Sequence, residues 1–433
     1  MERIWTTELA AHAGERVLLK GWMLRLRRLS NVSFLVLRDG MGSAQIVIED
    51  PAVAAMLDSL PVESVLAVTG EAVREPQAPG GVEVRGAAVE LISRAAEAPP
   101  FDLFRPSIKA QLPTILDHAP LALRHQRQRA LFRLAAAAME GFRATLRARG
   151  FTEIQTPKIV GSATEGGANV FQLDYFGRPA YLSQSPQLYK QMMVGVFERV
   201  FEVGPAFRAE PHDTPRHINS FTSLDVEQGF VEDHRDVMAT LTLTLQGIMS
   251  NMRERCGPEL ALLKLELPEV PAQIPAIHFS EALELLSGLT GEELRAEPDL
   301  APAHERMLGE WARRQHGSEF LFVTGYPTEQ RAFYTAPDPA RPFYSNAFDL
   351  IFRGVELVSG GQRLHRHEEY LAVLERRGMR AESFAGYLEA FKHGMPPHGG
   401  FAIGLERLIM RLMELPNIRE ATLFPRDLNR LTP

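Results

Sequence analysis

Cysteine is almost missing from this chain. Cys256 is the only one in 433 residues, so no intramolecular disulfide can form and a zinc site built on several thiolates is excluded. No apolar run reaches the roughly 18 residues that a transmembrane helix needs. The opening stretch MERIWTTELAAHAGE lacks the apolar centre of a signal peptide, so the expectation is a cytoplasmic protein with no membrane partner. There is no internal repeat and no low-complexity tract. A basic excess is also lacking: the net charge is −7, which argues against a non-specific nucleic-acid binder. Two phosphate-binding signatures are absent as well. No glycine-rich loop runs into GKS or GKT, and no GxGxxG follows a strand, which removes the P-loop and dinucleotide-binding readings.

What is present is ordinary in bulk and uneven in detail. The chain is 45% hydrophobic and 23% charged, as in globular proteins, and its length suits two or three domains. Residues 124–150 hold seven arginines and one acid, Glu140, on a helical pattern ended by Gly150. Such a run is read as a solvated helix face, with a phosphate-facing surface as the alternative. Between residues 15 and 93, five short segments rich in β-branched residues alternate with Gly and Asp turns, which predicts a small OB-type barrel. The stretch 97–113 carries four prolines and little pattern, and reads as a linker. Beyond it, strands and helices alternate, with hairpins near 170–230 and 343–363. The expected architecture is α+β: a barrel over 1–98, a linker over 99–123, and a larger domain over 124–433 with helices and loops inserted about 231–340.

Three clusters carry chemistry. FRAEPHDTPRH (207–217) packs two arginines, two histidines and two acids into a turn between apparent strands. Planar guanidinium groups suit phosphate or carboxylate, so Arg208, Arg216 and His217 are candidates for one anionic ligand. GMPPHGGFAIGLERLIM (394–410) runs from glycines that admit close backbone approach into a helix carrying Glu406 and Arg407. In FDLIFRGVELVSGGQRLHRHEE (348–369), Asp349, Glu356 and Ser359 suit Mg²⁺ bridging phosphates. Asp349 and Glu356 lie an odd number of residues apart, so a bulge or two strands must bring them to one face. His365, His367 and Glu368 are read as a surface loop rather than a transition-metal site.

These segments resemble motifs 2 and 3 of the class II aminoacyl-tRNA synthetases. GFTEIQTPKI (150–159) is similar to motif 1, which implies a homodimer. SATEGGANVF, QSPQLYKQ, SGGQRLH and the ending NIREATLFPRDLNRLTP resemble the aspartyl-tRNA synthetases, closest to the short archaeal and eukaryotic type. The resemblance runs nearly end to end. It implies a six-stranded antiparallel sheet flanked by helices behind the OB-fold barrel. It also implies activation of L-aspartate with ATP and Mg²⁺. Arg208 is then expected to hold the α-phosphate and the substrate α-carboxylate, Glu210 to accept from adenine, and Phe221 to stack on it. His217 is expected at the γ-phosphate, with Arg216 and Gly404 in the same nucleotide site. Arg407 is expected to clamp the other face of adenine, and Arg208 and Arg407 are the catalytic pair. Asp349, Glu356 and Ser359 are the implied metal ligands. His212 and Asp213 fall near the expected tRNA acceptor end.

Lys190 and Arg363 set the implied amino acid, since a buried side-chain carboxylate needs cationic partners and an asparagine amide does not. Glu165 is expected at the substrate ammonium, with Gln187 and Ser359 completing the pocket. On the barrel, Arg27, Phe34 and Gln45 match anticodon-contacting positions, Phe34 as the stacking aromatic. Discriminating relatives tend to carry a tryptophan or polar residue where this chain has Leu24, and a lysine near Pro79. This points to a relaxed enzyme that charges tRNA(Asp) and also tRNA(Asn), coupled to an amidotransferase. The alternatives are an asparaginyl-tRNA synthetase, a catalytically silent RNA-binding paralogue, and a paralogue that adenylates aspartate without tRNA.

Overall fold

The computed structural model describes residues 1–29, 32–161 and 169–433. The chain divides into two compact units, Met1–Arg129 and Ala130–Pro433.

In the first unit, β1 (Arg16–Arg28), β2 (Ser33–Arg38), β3 (Ser43–Ile48), β4 (Val65–Arg74) and β5 (Val82–Ser93) close into a barrel in the order β1-β2-β3-β5-β4. Alternation fills it. Leu35 and Leu37 of β2, Ile46 of β3, Leu66 and Val68 of β4 and Val84 of β5 are fully buried, while the residues between them face outward. The stretch expected to be a bare linker is partly folded. Phe101, Leu103 and Ala122 are buried together within this unit, and Leu24 packs against them.

The second unit is built on an eight-stranded sheet and a three-stranded one. Its strands are β6 (Thr152–Glu153), β7 (Ile159–Val160), β8 (Gln172–Tyr175), β9 (Arg178–Leu182), β10 (Arg199–Phe207), β11 (Ser220–Gly229), β12 (Ala276–His278), β13 (Phe320–Thr324), β14 (Ala347–Phe352), β15 (Val355–Gln362) and β16 (His398–Gly404). The large sheet runs β12-β13-β14-β15-β16-β11-β10-β6. Six central strands are antiparallel, as expected, and the edge strands β12 and β6 each add a parallel pair. The small sheet is β7-β9-β8.

The helix Gln126–Arg147 and the helix His234–Arg255 bury Leu134, Phe142, Leu241 and Ile248 against Phe201, Val226, Phe348 and Phe401 of the sheet. A Cβ on Gly247 would lie 1.8 Å from Thr145 Oγ1, so the close crossing of the two helices needs a glycine there. The arginine-rich face of the first helix is answered by acids: Arg133 pairs with Glu259, and Arg143 and Arg147 share Glu153. These three arginines are thus not a bare phosphate-facing surface. The stretch 231–340 does more than decorate the core, because it supplies the helix His234–Arg255 and the sheet strand β13.

Candidate active site

All eight residues expected to hold ATP line one cleft in the second unit: Arg208, Glu210, Arg216, His217, Phe221, Glu356, Gly404 and Arg407. The hairpin β10–β11 stays in register up to Phe207 opposite Ser220, so residues 208–219 form the connecting loop. Asn219 braces it, donating its amide to Arg208 O at 2.7 Å and to Glu210 O at 3.3 Å. Arg208 lies over the Phe221 ring, 5.5 Å from its centroid. His217 sits between Thr214 Oγ1 (2.6 Å) and Glu210 (3.3 Å). Burial holds its pKa below the ordinary value against the pull of Glu210, and His212, Arg407 and Arg216 lower it further. Asp213 is tied back to the chain end: Arg419 pairs with it at 2.7 Å and Asn429 donates to it at 2.8 Å.

The spacing of Asp349 and Glu356 is reconciled by both devices that alternation allows. They lie on neighbouring strands, and the β14–β15 register shifts between Leu350 and Ile351. Asp349 stands opposite Ser359, whose hydroxyl donates to Asp349 at 2.7 Å and to Glu356 at 3.2 Å. Burial, then the charge of Asp349, raises the Glu356 pKa while Arg407 opposes the rise. Arg407 also donates to Glu356 O at 2.8 Å. Two further residues belong here that sequence reasoning did not name. Arg331 grips both oxygens of Asp349 (3.1 and 2.7 Å) and lies 3.8 Å above the Tyr326 ring centroid. Glu305, buried, accepts the Glu356 N–H at 2.9 Å and lies 3.8 Å from Arg216.

This donor set fits a hard cation shared with phosphate oxygens. It is all oxygen, and Glu356 carries a destabilised charge that a cation relieves. Among the described residues, no group of three or more His, Cys, Asp or Glu side chains is placed to hold a metal by itself. That includes His365, His367 and Glu368. Glu356 and Ser359 line the cleft, and buried Asp349 joins them through the Ser359 hydroxyl.

Below the cleft lies an ion cluster. Lys190 is 1% exposed and Arg363 6%. Lys190 Nζ is 3.0 Å from Asp225, 3.4 Å from Glu227 and donates to Phe401 O at 3.2 Å. Arg363 pairs with Glu227 at 2.9 Å and donates to Gly400 O at 2.9 Å. Burial works against the Glu227 charge, but Arg363 and Lys190 overcome it and leave its pKa below the usual carboxylate value. Ser223, on the cleft wall, donates to Asp225 at 2.5 Å and links the two levels. A Cβ on Gly400 would lie 2.0 Å from Val226 O and 2.2 Å from Glu227 Oε2, so the glycines read as a ligand-approach loop instead sit on β16 and make room for this cluster. Asp225 and Glu227 were also missed. Their signal was an acid pair at period two on a strand, flanking Val226. Gln187 is buried beside the cluster, and Glu165 lies outside the described residues.

On the barrel, Arg27 stands opposite Phe34, with its guanidinium 5.9 Å from the ring centroid. Phe34 pairs with Val47, and the next outward row pairs Arg25, Val36 and Gln45. Arg27, Phe34 and Gln45 thus share one outward face. Gln45 donates to Glu83 at 2.9 Å, and Glu83 also takes Arg85 at 2.7 Å. Pro79 is exposed in the turn Pro79–Gly81 between β4 and β5. Leu24 does not join this face: it packs on Phe101 and Leu103.

The fold and sites define a class: a cleft lined by arginines and acids on an antiparallel sheet, carried in one chain with an OB barrel that presents an aromatic and a cation. Residues 111–428 match the family described as tRNA synthetases class II (D, K and N), and residues 17–92 match the OB-fold nucleic acid binding domain. Over 431 residues, 100% of both chains, the protein is 45% identical to an aspartate–tRNA(Asp/Asn) ligase of Thermus thermophilus. It is 44% identical to the Deinococcus radiodurans protein of that name, over 100% of this chain and 99% of the other. It superposes with a TM-score of 0.93, at 30% identity and over 100% of both chains, on an asparaginyl-tRNA synthetase from Pyrococcus horikoshii complexed with asparaginyl-adenylate. The chain belongs to the class II tRNA synthetases of the aspartate, lysine and asparagine group. No helix among its described residues is long and apolar enough to cross a membrane.

Proposed function

We propose that this chain is an aspartyl-tRNA synthetase. It joins L-aspartate to ATP as aspartyl-adenylate, then passes the aspartyl group to the 3′ end of tRNA(Asp) and of tRNA(Asn). The observation that carries the amino-acid choice is the full-length identity of 45% and 44% to two aspartate–tRNA(Asp/Asn) ligases. Lys190 and Arg363, buried together and held by Asp225 and Glu227, are the cations that a side-chain carboxylate meets in this reading. An asparagine amide brings them no charge, and a site built around a polar group discriminates by up to about 10⁴-fold.

In the first step the substrate α-carboxylate attacks the α-phosphorus and pyrophosphate leaves. The nucleophile is already ionised, so no general base is required, and rate comes from alignment and charge neutralisation. Arg208 takes up charge on the α-phosphoryl oxygens and the attacking carboxylate. Phe221 and Arg407 sandwich the adenine and Glu210 accepts from its amino group. His217 with Arg216 and Arg407 binds the outer phosphates, and Glu305 steadies Arg216. Asp349, Glu356 and Ser359 would hold Mg²⁺, which would supply further neutralisation of the triphosphate. In the second step a hydroxyl of the terminal ribose attacks the acyl carbon and AMP leaves.

Anticodon reading falls to Arg27, Phe34 and Gln45. Charging of both tRNAs is supported by the Asp/Asn names of the relatives at 45% and 44% identity and by Pro79, which offers neither charge nor N–H. Aspartyl-tRNA(Asn) is a mispaired product, so an amidating enzyme must follow. A homodimer is supported by the motif 1 resemblance and by exposed Ile159 in that stretch. The test of the activity is ATP–pyrophosphate exchange with single amino acids: aspartate supports exchange, and exchange with asparagine alone overturns the reading.

A further inference from the structure

His398 is fully buried at the start of β16. Its Nδ1 lies 2.9 Å from Pro396 O, and a carbonyl oxygen only accepts, so Nδ1 carries a proton. Burial lowers the ring's pKa to about 4, so it is neutral at pH 7 and Nε2 is a bare acceptor. That Nε2 lies 3.0 Å from the Gln191 amide, which must therefore present its NH2. The same NH2 reaches the Tyr370 hydroxyl at 3.1 Å. Tyr370 can accept it because its own proton goes to Leu364 O at 2.9 Å, while Tyr387 donates to Tyr370 at 2.8 Å.

With its nitrogen fixed on this side, Gln191 turns Oε1 the other way, 3.0 Å from the Gln187 side chain, which must answer with its own NH2. Each orientation is dictated by the one before it, and the sequence starts at a backbone carbonyl that cannot donate. It ends at the Gln187 carbonyl oxygen, which has no hydrogen-bond partner among the described residues. Gln187 begins the helix that carries Lys190 one turn later. A reversed chain would turn an NH2 outward from Gln187 instead, which repels an ammonium group.

We propose that His398 is a positioning residue for amino-acid selection. Its Nδ1–H tautomer, relayed through Gln191, leaves the Gln187 carbonyl oxygen to accept from the α-ammonium of the substrate. The inference rests on the pocket being the amino-acid site, and it adds a residue that touches no substrate.

The test uses the full-length chain in aspartate-dependent ATP–pyrophosphate exchange. His398→Met removes the acceptor at similar volume, whereas in His398→Gln the new amide oxygen can stand where Nε2 stood. The expected result is a rise in the KM for aspartate of about tenfold or more in His398→Met, the worth of one oriented hydrogen bond to a charged group. The KM for ATP stays unchanged, and His398→Gln recovers most of the loss. An unchanged aspartate KM, an equal rise for ATP, or no recovery in His398→Gln overturns it. If His398→Met does not fold, ¹⁵N NMR of the native protein decides. A protonated Nδ1 with a bare Nε2, assigned by its loss in His398→Gln, supports the relay. An Nε2–H or doubly protonated ring overturns it. Absence of aspartate-dependent exchange in the native protein would instead count against the proposed function and leave the tautomer result standing.

Discussion

Glu406, beside Arg407, has its pKa raised to about 7 from an ordinary 4.5 because burial disfavours its charge, while the Thr222 N–H holds it in place. Between those pH values the folded carboxyl keeps a proton that the unfolded chain has released. Its contribution to stability is therefore complete below pH 4.5 and is lost as pH rises through about 7. Glu406→Gln keeps an acceptor for Thr222 and removes the titration. Its thermal midpoint should exceed the parent's by about 2 °C or more near pH 8 and match it near pH 5, as scanning calorimetry can check. Lys190 is a second single-residue test. In Lys190→Met, Asp225 keeps only Ser223, so stability should fall by about 3–5 kcal/mol, as for other broken buried pairs. Aspartate-dependent exchange should fall at least about 100-fold, because a carboxylate then enters a site short of one cation. At this scale the residues that gather at the cleft were legible, because arginine and histidine crowd one short loop. Asp225, Glu227, Glu305 and Arg331 were not. Their partners lie far away in sequence, and an acid on a strand carries no mark of the cation it will meet.

The elements explain why the cluster can be so tight. Strands β15 and β16 meet at Gly361 and Gly400, where bare backbone brings the Gly400 and Phe401 carbonyls within reach of Arg363 and Lys190. Gly400→Ala pushes into Val226 O and Glu227 Oε2. The aspartate KM should rise about tenfold or more in exchange assays, with a smaller change for ATP, since overpacking here costs about 1–3 kcal/mol at the amino-acid end of the site. The barrel strands and the central hairpins were readable from alternation and turn residues. The edge strands β6 and β12 were not, because two or three residues hold no period. The stretch after the barrel misled through its four prolines. Proline stops regular structure without preventing burial, and Phe101 and Leu103 are buried between such prolines.

At the scale of the whole molecule, the proposed function divides the work between the two units: one would activate the amino acid and the other would select the RNA. Phe34→Ala should leave aspartate-dependent exchange intact while kcat/KM for tRNA charging falls about 10- to 100-fold, the worth of one base stacked on an aromatic ring. The overall charge of −7 pointed away from nucleic acid, whereas residues 17–92 match an OB-fold nucleic acid binding domain. A mean over the chain does not speak for one stretch of it. The central claim is that this enzyme attaches aspartate and does so on two tRNAs. Its most direct measurement is side-by-side aspartate charging of tRNA(Asp) and tRNA(Asn) transcripts with Mg-ATP. Comparable plateaus on both are predicted; charging of tRNA(Asp) alone would contradict the relaxed reading, and charging of neither would contradict the enzymatic one.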